Sequence, residues 1–213
     1  MQLPEKAIES RYDYNKIIPW FRKKASKFIG KEYVISESEK GIIFALIAWI
    51  LKDDLVAKEM SIDLNKGILL SGPIGCGKTT LFKILRHCNF PAGNYGIVST
   101  RHIVSEFMRE GYEILEKYSN GNLYNNQQKP KYLCFDDLGT ETSSKYFGND
   151  CNVMAEILLT RYDLFKEKGL ITHITTNLSS PEIESQYGNR LRSRMREMFN
   201  LFGYEENSED KRR

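Results

Sequence analysis

The run Gly72-Pro73-Ile74-Gly75-Cys76-Gly77-Lys78-Thr79, extended by Thr80, carries the spacing G-x-x-x-x-G-K-[ST]. Glycines at these positions let the backbone fold closely around an anion with successive N–H groups turned inward. A helix starting at Gly77 would add the positive end of its dipole. The lysine can neutralise the terminal phosphates of a nucleoside triphosphate, and the threonine after it can give its hydroxyl to magnesium. The expected ligands are therefore ATP and Mg2+. Gly72, Pro73, Gly75, Cys76, Gly77, Lys78, Thr79 and Thr80 form the expected binding loop, Lys78 also acts on the reacting phosphates, and Thr79 acts as a metal ligand. The chemistry needs a strand before the loop and a helix behind it, which Gly67 to Ser71 and Gly77 to His87 supply.

A second acidic group must complete such a site. Tyr132-Leu133-Cys134-Phe135 reads as a strand that delivers Asp136 to the sheet edge, where it can hold the magnesium shell, and Asp137 can orient or deprotonate a water. Ile171 to Thr176 reads as the next strand, with Asn177 at its end placed to position the water or the γ-phosphate. Capping of the helix near Pro181 is the alternative for Asn177, and His173 reads as a core residue.

The elements that must position these groups follow from periodicity. Residues 1–35 mix charges and aromatics, with Pro4 and Pro19 as breakers, and suggest short helices before an extended piece at Tyr33-Val34-Ile35. Ser36 as N-cap with Glu39 starts a helix that should run to about Leu55, buried on most sides. Gly96 to Thr100 reads as a strand and Arg101 to Tyr118 as a helix with an apolar stripe. Residues 119–130 read as a loop, Asp150 to Lys168 as a helix, Leu170 to Thr175 as a strand, Pro181 to Met198 as a helix, and Phe199 to Phe202 as a short last strand. This alternation predicts an α/β fold with a mainly parallel five-stranded sheet flanked by helices.

Composition narrows the setting. The chain has 213 residues, 41% hydrophobic and 28% charged, enough for one α/β core with a small appendage. Its longest apolar stretch, Ile42 to Leu51, is too short to span a bilayer, and no export signal precedes it. Cys76, Cys88, Cys134 and Cys151 lack metal-ligand spacing, so a reducing cytoplasm is expected and a membrane partner is not. A net charge of +3 does not establish nucleic-acid binding, but Arg190, Arg192, Arg194 and Arg196 form a local cluster. Arg161 lies at the margin of the stripe Met154, Ile157, Leu158, Tyr162 and Phe165. A charge there needs a partner, within the chain or across an interface, and Glu141 is one candidate.

In this order the motifs resemble the DnaC/IstB-like branch of AAA+ ATPases, which holds helicase loaders and transposition helpers. The matching pieces are the phosphate loop, Phe135-Asp136-Asp137-Leu138-Gly139-Thr140-Glu141, Ile157 to Asp163, Ile174 to Ser179, and Tyr187-Gly188-Asn189-Arg190-Leu191-Arg192-Ser193-Arg194-Met195. The resemblance implies a P-loop NTPase of AAA+ type whose slow ATP hydrolysis is stimulated by DNA or by oligomerisation. It also implies a site shared between subunits, with Arg194 as the arginine finger reaching a neighbour's γ-phosphate and Arg190, one turn earlier, assisting; a solvated face or a DNA-backbone contact is the alternative for both. The implied partners are further copies of the chain, DNA in single-stranded form, and a replicative helicase or a transposase. Asp137 departs from the glutamate usual in the family, and the stretch after the arginine-rich helix leaves no room for a full helical lid domain. The expected organisation is a helical N-terminal extension (1–60), an ATPase core (61–204) and a charged tail (205–213), in which Lys211-Arg212-Arg213 reads as frayed, with a late cation near the nucleotide as the alternative. A P-loop kinase for small molecules and an ATP switch that does not hydrolyse are the competing functions.

Overall fold

The computed structural model describes residues 10–120, 132–141, 144–146, 149–205, 208, 210 and 211. The expected loop at 119–130 falls mostly outside the described residues, as do Pro4, Arg212 and Arg213. The chain forms two compact units. One holds the described residues of Met1–Leu64, Gly72–Asn94 and Phe202–Arg213, the other Asn65–Ser71 and Tyr95–Leu201.

The first unit is helical: α1 (Tyr14–Ile29), α2 (Glu37–Leu51), α3 (Asp54–Glu59) and α4 (Lys78–His87), with a 3-10 turn at Pro91–Gly93. Pro19 does not break α1. The carbonyl it leaves without a helical donor belongs to Asn15, an exposed position that water can serve, while burial of Phe21 and Ala25 holds the helix in place. The Ser36–Glu39 capping box starts α2 as expected, and ten of its fifteen residues are buried. It stops at Leu51, short of the expected Leu55, because Lys52 turns left-handed and Asp53 caps α3 by accepting from the Val56 N–H at 3.4 Å. In α4, Leu81, Phe82, Ile84 and Leu85 are buried and Lys83, Arg86 and His87 are exposed.

The second unit carries most of the sheet. The strands β1 (Gly67–Ser71), β2 (Gly96–Ser99), β3 (Leu133–Leu138), β6 (Thr172–Thr176) and β7 (Phe199–Gly203, its last two residues counted with the first unit) lie in the order β2-β3-β6-β1-β7. The β1–β6, β2–β3 and β3–β6 pairs are all parallel, as the alternating pattern predicts. The helices are α5 (Thr100–Glu110), α6 (Glu113–Asn120), α7 (Val153–Lys168) and α8 (Ser180–Met198). Phe107, Phe135, Met154, Ile157, Leu158 and Ile174 centre its core.

Three expectations are corrected here. The helix foreseen from Arg101 to Tyr118 is two helices, because Gly111, at φ +71° and ψ −144°, turns the chain after α5. The helix foreseen from Asp150 starts only at Val153, where the Asn152 side chain accepts from the Ala155 N–H. Residues Asn149–Cys151 form β5, which pairs antiparallel with β4 (Ser144–Tyr146). The third concerns β3, which runs on through both aspartates to Leu138. No described helix is long and apolar enough to cross a membrane.

Candidate nucleotide-binding site

The loop from Gly72 to Gly77 lies in the first unit and enters α4 directly. Gly75 and Gly77 adopt φ of +89° and +98°, a region costly for any residue with a Cβ. Gly77 is also the N-cap of α4 and brings no side-chain cap, so the first N–H groups of the helix face whatever anion the loop receives. Lys78 is 5% exposed. Its Nζ donates to Gly72 O at 2.7 Å and Pro73 O at 2.8 Å and lies 3.8 Å from Cys76 Sγ, closing the loop around its own lysine. Burial pushes the Cys76 thiol up, with Lys78 opposing. Thr79 and Thr80 are half-buried in the first turn of α4. In the same unit the Asp210 carboxylate rests where a Cβ on Gly75 would be. A carboxylate settled on this loop fits a surface that attracts negative charge, which a triphosphate requires.

In the second unit, β3 and β6 present their polar residues at one sheet edge. The register shifts between Phe135↔Ile174 and Leu138↔Thr176, so Asp136 and Asp137 form a bulge. Asp137 takes φ +59°, which aspartate tolerates better than most residues. Thr175 holds both: its Oγ1 accepts the Asp137 N–H at 2.8 Å and donates to Asp136 Oδ1 at 2.7 Å. The Asp137 carbonyl accepts from Thr100 Oγ1 and Thr140 Oγ1, and Thr176 Oγ1 donates to Leu138 O. Ser71, the last residue of β1, pairs with Thr176 at the end of β6. Asn177 is half-buried one residue beyond β6. It is not the cap of α8; Ser179 is, in a capping box with Glu182. His173 is a core residue, accepting from the Ile68 N–H at 3.2 Å and packed 4.8 Å from the Tyr95 ring.

The arginines divide sharply. Arg161 is 0% exposed, which excludes a reach across an interface, and its partner is not Glu141. Its guanidinium donates to Thr172 Oγ1, Tyr118 O, Ser119 O and Ile171 O at 2.7 to 3.2 Å. Burial brings its pKa down to about 9. Glu141 instead accepts from the Tyr187 hydroxyl and the Gly139 N–H. Arg194 is half-buried over the Tyr162 ring at 4.7 Å, Arg192 pairs with Glu184, and Arg190 and Arg196 are exposed. Gly188 kinks α8 just before this group.

Sequence reading did not single out Thr175 as the clamp on Asp136 and Asp137, although the Thr-Thr pair closing β6 was its signal. Nor did it find Asp210, or the pairing of Glu39, read only as a capping residue, with Lys211; read as part of a frayed end, Lys211 is instead held at the loop by its N–H bond to Gly75 O and its pairing with Glu39, because segments distant in sequence meet there.

A parallel sheet whose first strand feeds a glycine loop and then a helix defines an α/β nucleotide-binding protein. Residues 68–201 match the model of the ATPase family associated with various cellular activities (AAA), and the chain belongs to that family. Cell division control protein 48 homolog B of Arabidopsis thaliana is 27% identical over 139 residues, 62% of this chain but 22% of that protein, so the chain spans about a fifth of this relative. Among solved structures, a candidate primosome component from Streptococcus pyogenes serotype M3 is similar at TM-score 0.55 and 18% identity, covering 83% of this chain and 85% of that one. Domain III of the replication initiation protein DnaA from Thermotoga maritima is similar at TM-score 0.51 and 20% identity, covering 81% and 65%.

Proposed function

We propose that this AAA-family chain is an ATP-binding and ATP-hydrolysing accessory protein of DNA replication or transposition, of the helicase-loader or transposase-helper kind. The observation that carries this reading is the loop already closed around Lys78, entered from a strand whose sheet edge also carries the Thr175-clamped aspartates. Gly72, Pro73, Gly75, Cys76, Gly77 and Thr80 shape the cradle, and Lys78 neutralises the β and γ phosphates. Thr79 and Asp136 would hold Mg2+, which when bound supplies charge neutralisation on the phosphates. Asp137 orients or deprotonates the attacking water and Asn177 hydrogen-bonds it. Arg194, with Arg190 beside it, completes the site of a neighbouring subunit. The Tyr162 face under Arg194 supports a directed guanidinium there, which a loosely solvated side chain would lack.

Residues 1–60 then form the extension that meets a client helicase or transposase, 61–204 the ATPase core, and 205–213 the tail. Single-stranded DNA and further copies of the chain are the partners, and the four free cysteines suit a reducing cytoplasm. The shared fold of a candidate primosome component and a DnaA domain supports the replication setting.

The test is steady-state phosphate release with and without single-stranded DNA, alongside the oligomeric state. Wild type should be stimulated by DNA, and Arg194→Ala should lower stimulated turnover by about 1,000-fold while leaving nucleotide binding intact. Unchanged assembly and turnover in Arg194→Ala would sink the shared site.

A further inference from the structure

The segment following β7 comes back to the nucleotide loop. A Cβ on Gly72 would lie 2.6 Å from Tyr204 Cβ, one on Gly75 would strike the Asp210 carboxylate, and one on Gly77 would lie 3.3 Å from Lys211 Cδ. Three glycines of the motif thus face this one segment, and the Lys211 N–H ties it to the loop by donating to Gly75 O at 3.0 Å. The Lys211 side chain passes the N-cap of α4, and its ammonium pairs with Glu39 Oε1, 5.1 Å from the Tyr33 ring. Lys31 Nζ donates to the Lys211 carbonyl. Glu39 is 2% exposed and Lys211 31%. The other Glu39 oxygen, Oε2, accepts from the Ser36 N–H and Oγ. Burial, then the charge of Glu39, pushes the phenols of Tyr33 and Tyr204 up.

We propose that Lys211 is a second phosphate-binding cation of the nucleotide site, parked on Glu39 when the loop lacks a triphosphate and transferred to the phosphates when one binds. The proposal rests on the ATP reading given above. From a Cδ beside Gly77, two further bonds carry the ammonium either to Glu39 or to the mouth of the cradle. The exchange trades a single carboxylate for a more highly charged group in the loop, so Coulomb attraction favours it. Glu39 keeps its Oε2 bonds to Ser36, while Oε1 gives up its pairing with Lys211. Asp210, against Gly75, is repelled by the same phosphates and must shift as Lys211 moves. Occupancy of the loop is thereby read by α2 through Glu39.

The experiment is titration of the full chain with a fluorescent methylanthraniloyl-ATP. Lys211→Ala should weaken binding about tenfold, and Lys211→Arg should restore most of it. Glu39→Gln removes the competing charge, retains an acceptor for the cap, and should tighten binding about threefold, an effect lost when combined with Lys211→Ala. A pair that merely straps the segment down would make both substitutions weaken binding, which overturns the proposal, as does equal binding by wild type and Lys211→Ala. Lys78→Ala separates the two readings. If it abolishes binding while Lys211→Ala does not change it, the ATP site stands and the role of Lys211 falls; if wild type itself does not bind, both fall.

Discussion

Arg161 and Lys78 are both withdrawn from solvent, yet their bonds run to different places. Arg161 donates to neutral oxygens of residues 118, 119, 171 and 172, bonds that stitch α6 and the start of β6 to its own helix α7. Lys78 bonds to Gly72 and Pro73, carbonyls of its own loop. The first cation spends its donors on joining distant segments and is structural. The second shapes the surface that surrounds it, so its charge stays with the loop and serves whatever the loop receives. Burial alone does not mark a functional cation; the reach of its hydrogen bonds does.

The strongest way to break this contrast is Arg161→Met, which removes a guanidinium that four buried acceptors depend on. It should cost about 1–3 kcal/mol of unfolding free energy for each buried acceptor left unsatisfied, measured by chemical denaturation. A loss under about 1 kcal/mol, the usual range for an exposed ion pair, would show that the site repacks and that Arg161 is not a stitch. Lys78→Met should do the reverse: a denaturation midpoint close to wild type with nucleotide affinity lowered by about 100-fold. Global unfolding on that substitution would erase the distinction between the two cations. Thr175→Val makes the smallest change and shows where the line falls, because its hydroxyl serves both the fold and the aspartates. Leaving the Asp137 N–H and one Asp136 oxygen without it should cost about 1–3 kcal/mol and slow phosphate release. Slowed release at unchanged stability would move Thr175 wholly to the functional side.

The phosphate loop was legible because its demands are local. A glycine must stand where φ is positive, a lysine must follow the last of them, and apolar runs must flank both, and all of this lies within about three turns of sequence. The same holds for the Ser36 capping box and for the parallel sense of the strands, whereas the Ser179–Glu182 box, equally local, was passed over in favour of Asn177 as the cap. Asp136 and Asp137 were legible as residues but not as a bulge, since the register shift depends on how Leu138 meets Thr176 in another strand. The break at Gly111 was hidden by an apolar stripe that continues across it, and Pro19 misled because a helix held by tertiary burial survives a proline on its exposed side.

What the residues offered alone was a candidate chemistry: a glycine loop suited to an anion, a hydroxyl and two carboxylates suited to a metal, and a cluster of arginines, each announced by spacing along the chain. The tertiary structure decided which polar groups are already spent. Arg161 is used up by neutral oxygens, Glu141 by Tyr187 and Gly139, while Thr175 is recruited by the aspartates and Glu39 and Lys211 meet beside the loop from 172 residues apart. Such pairings follow from the packing of segments distant in sequence, where closure entropy is met by burial elsewhere, and no local pattern encodes them.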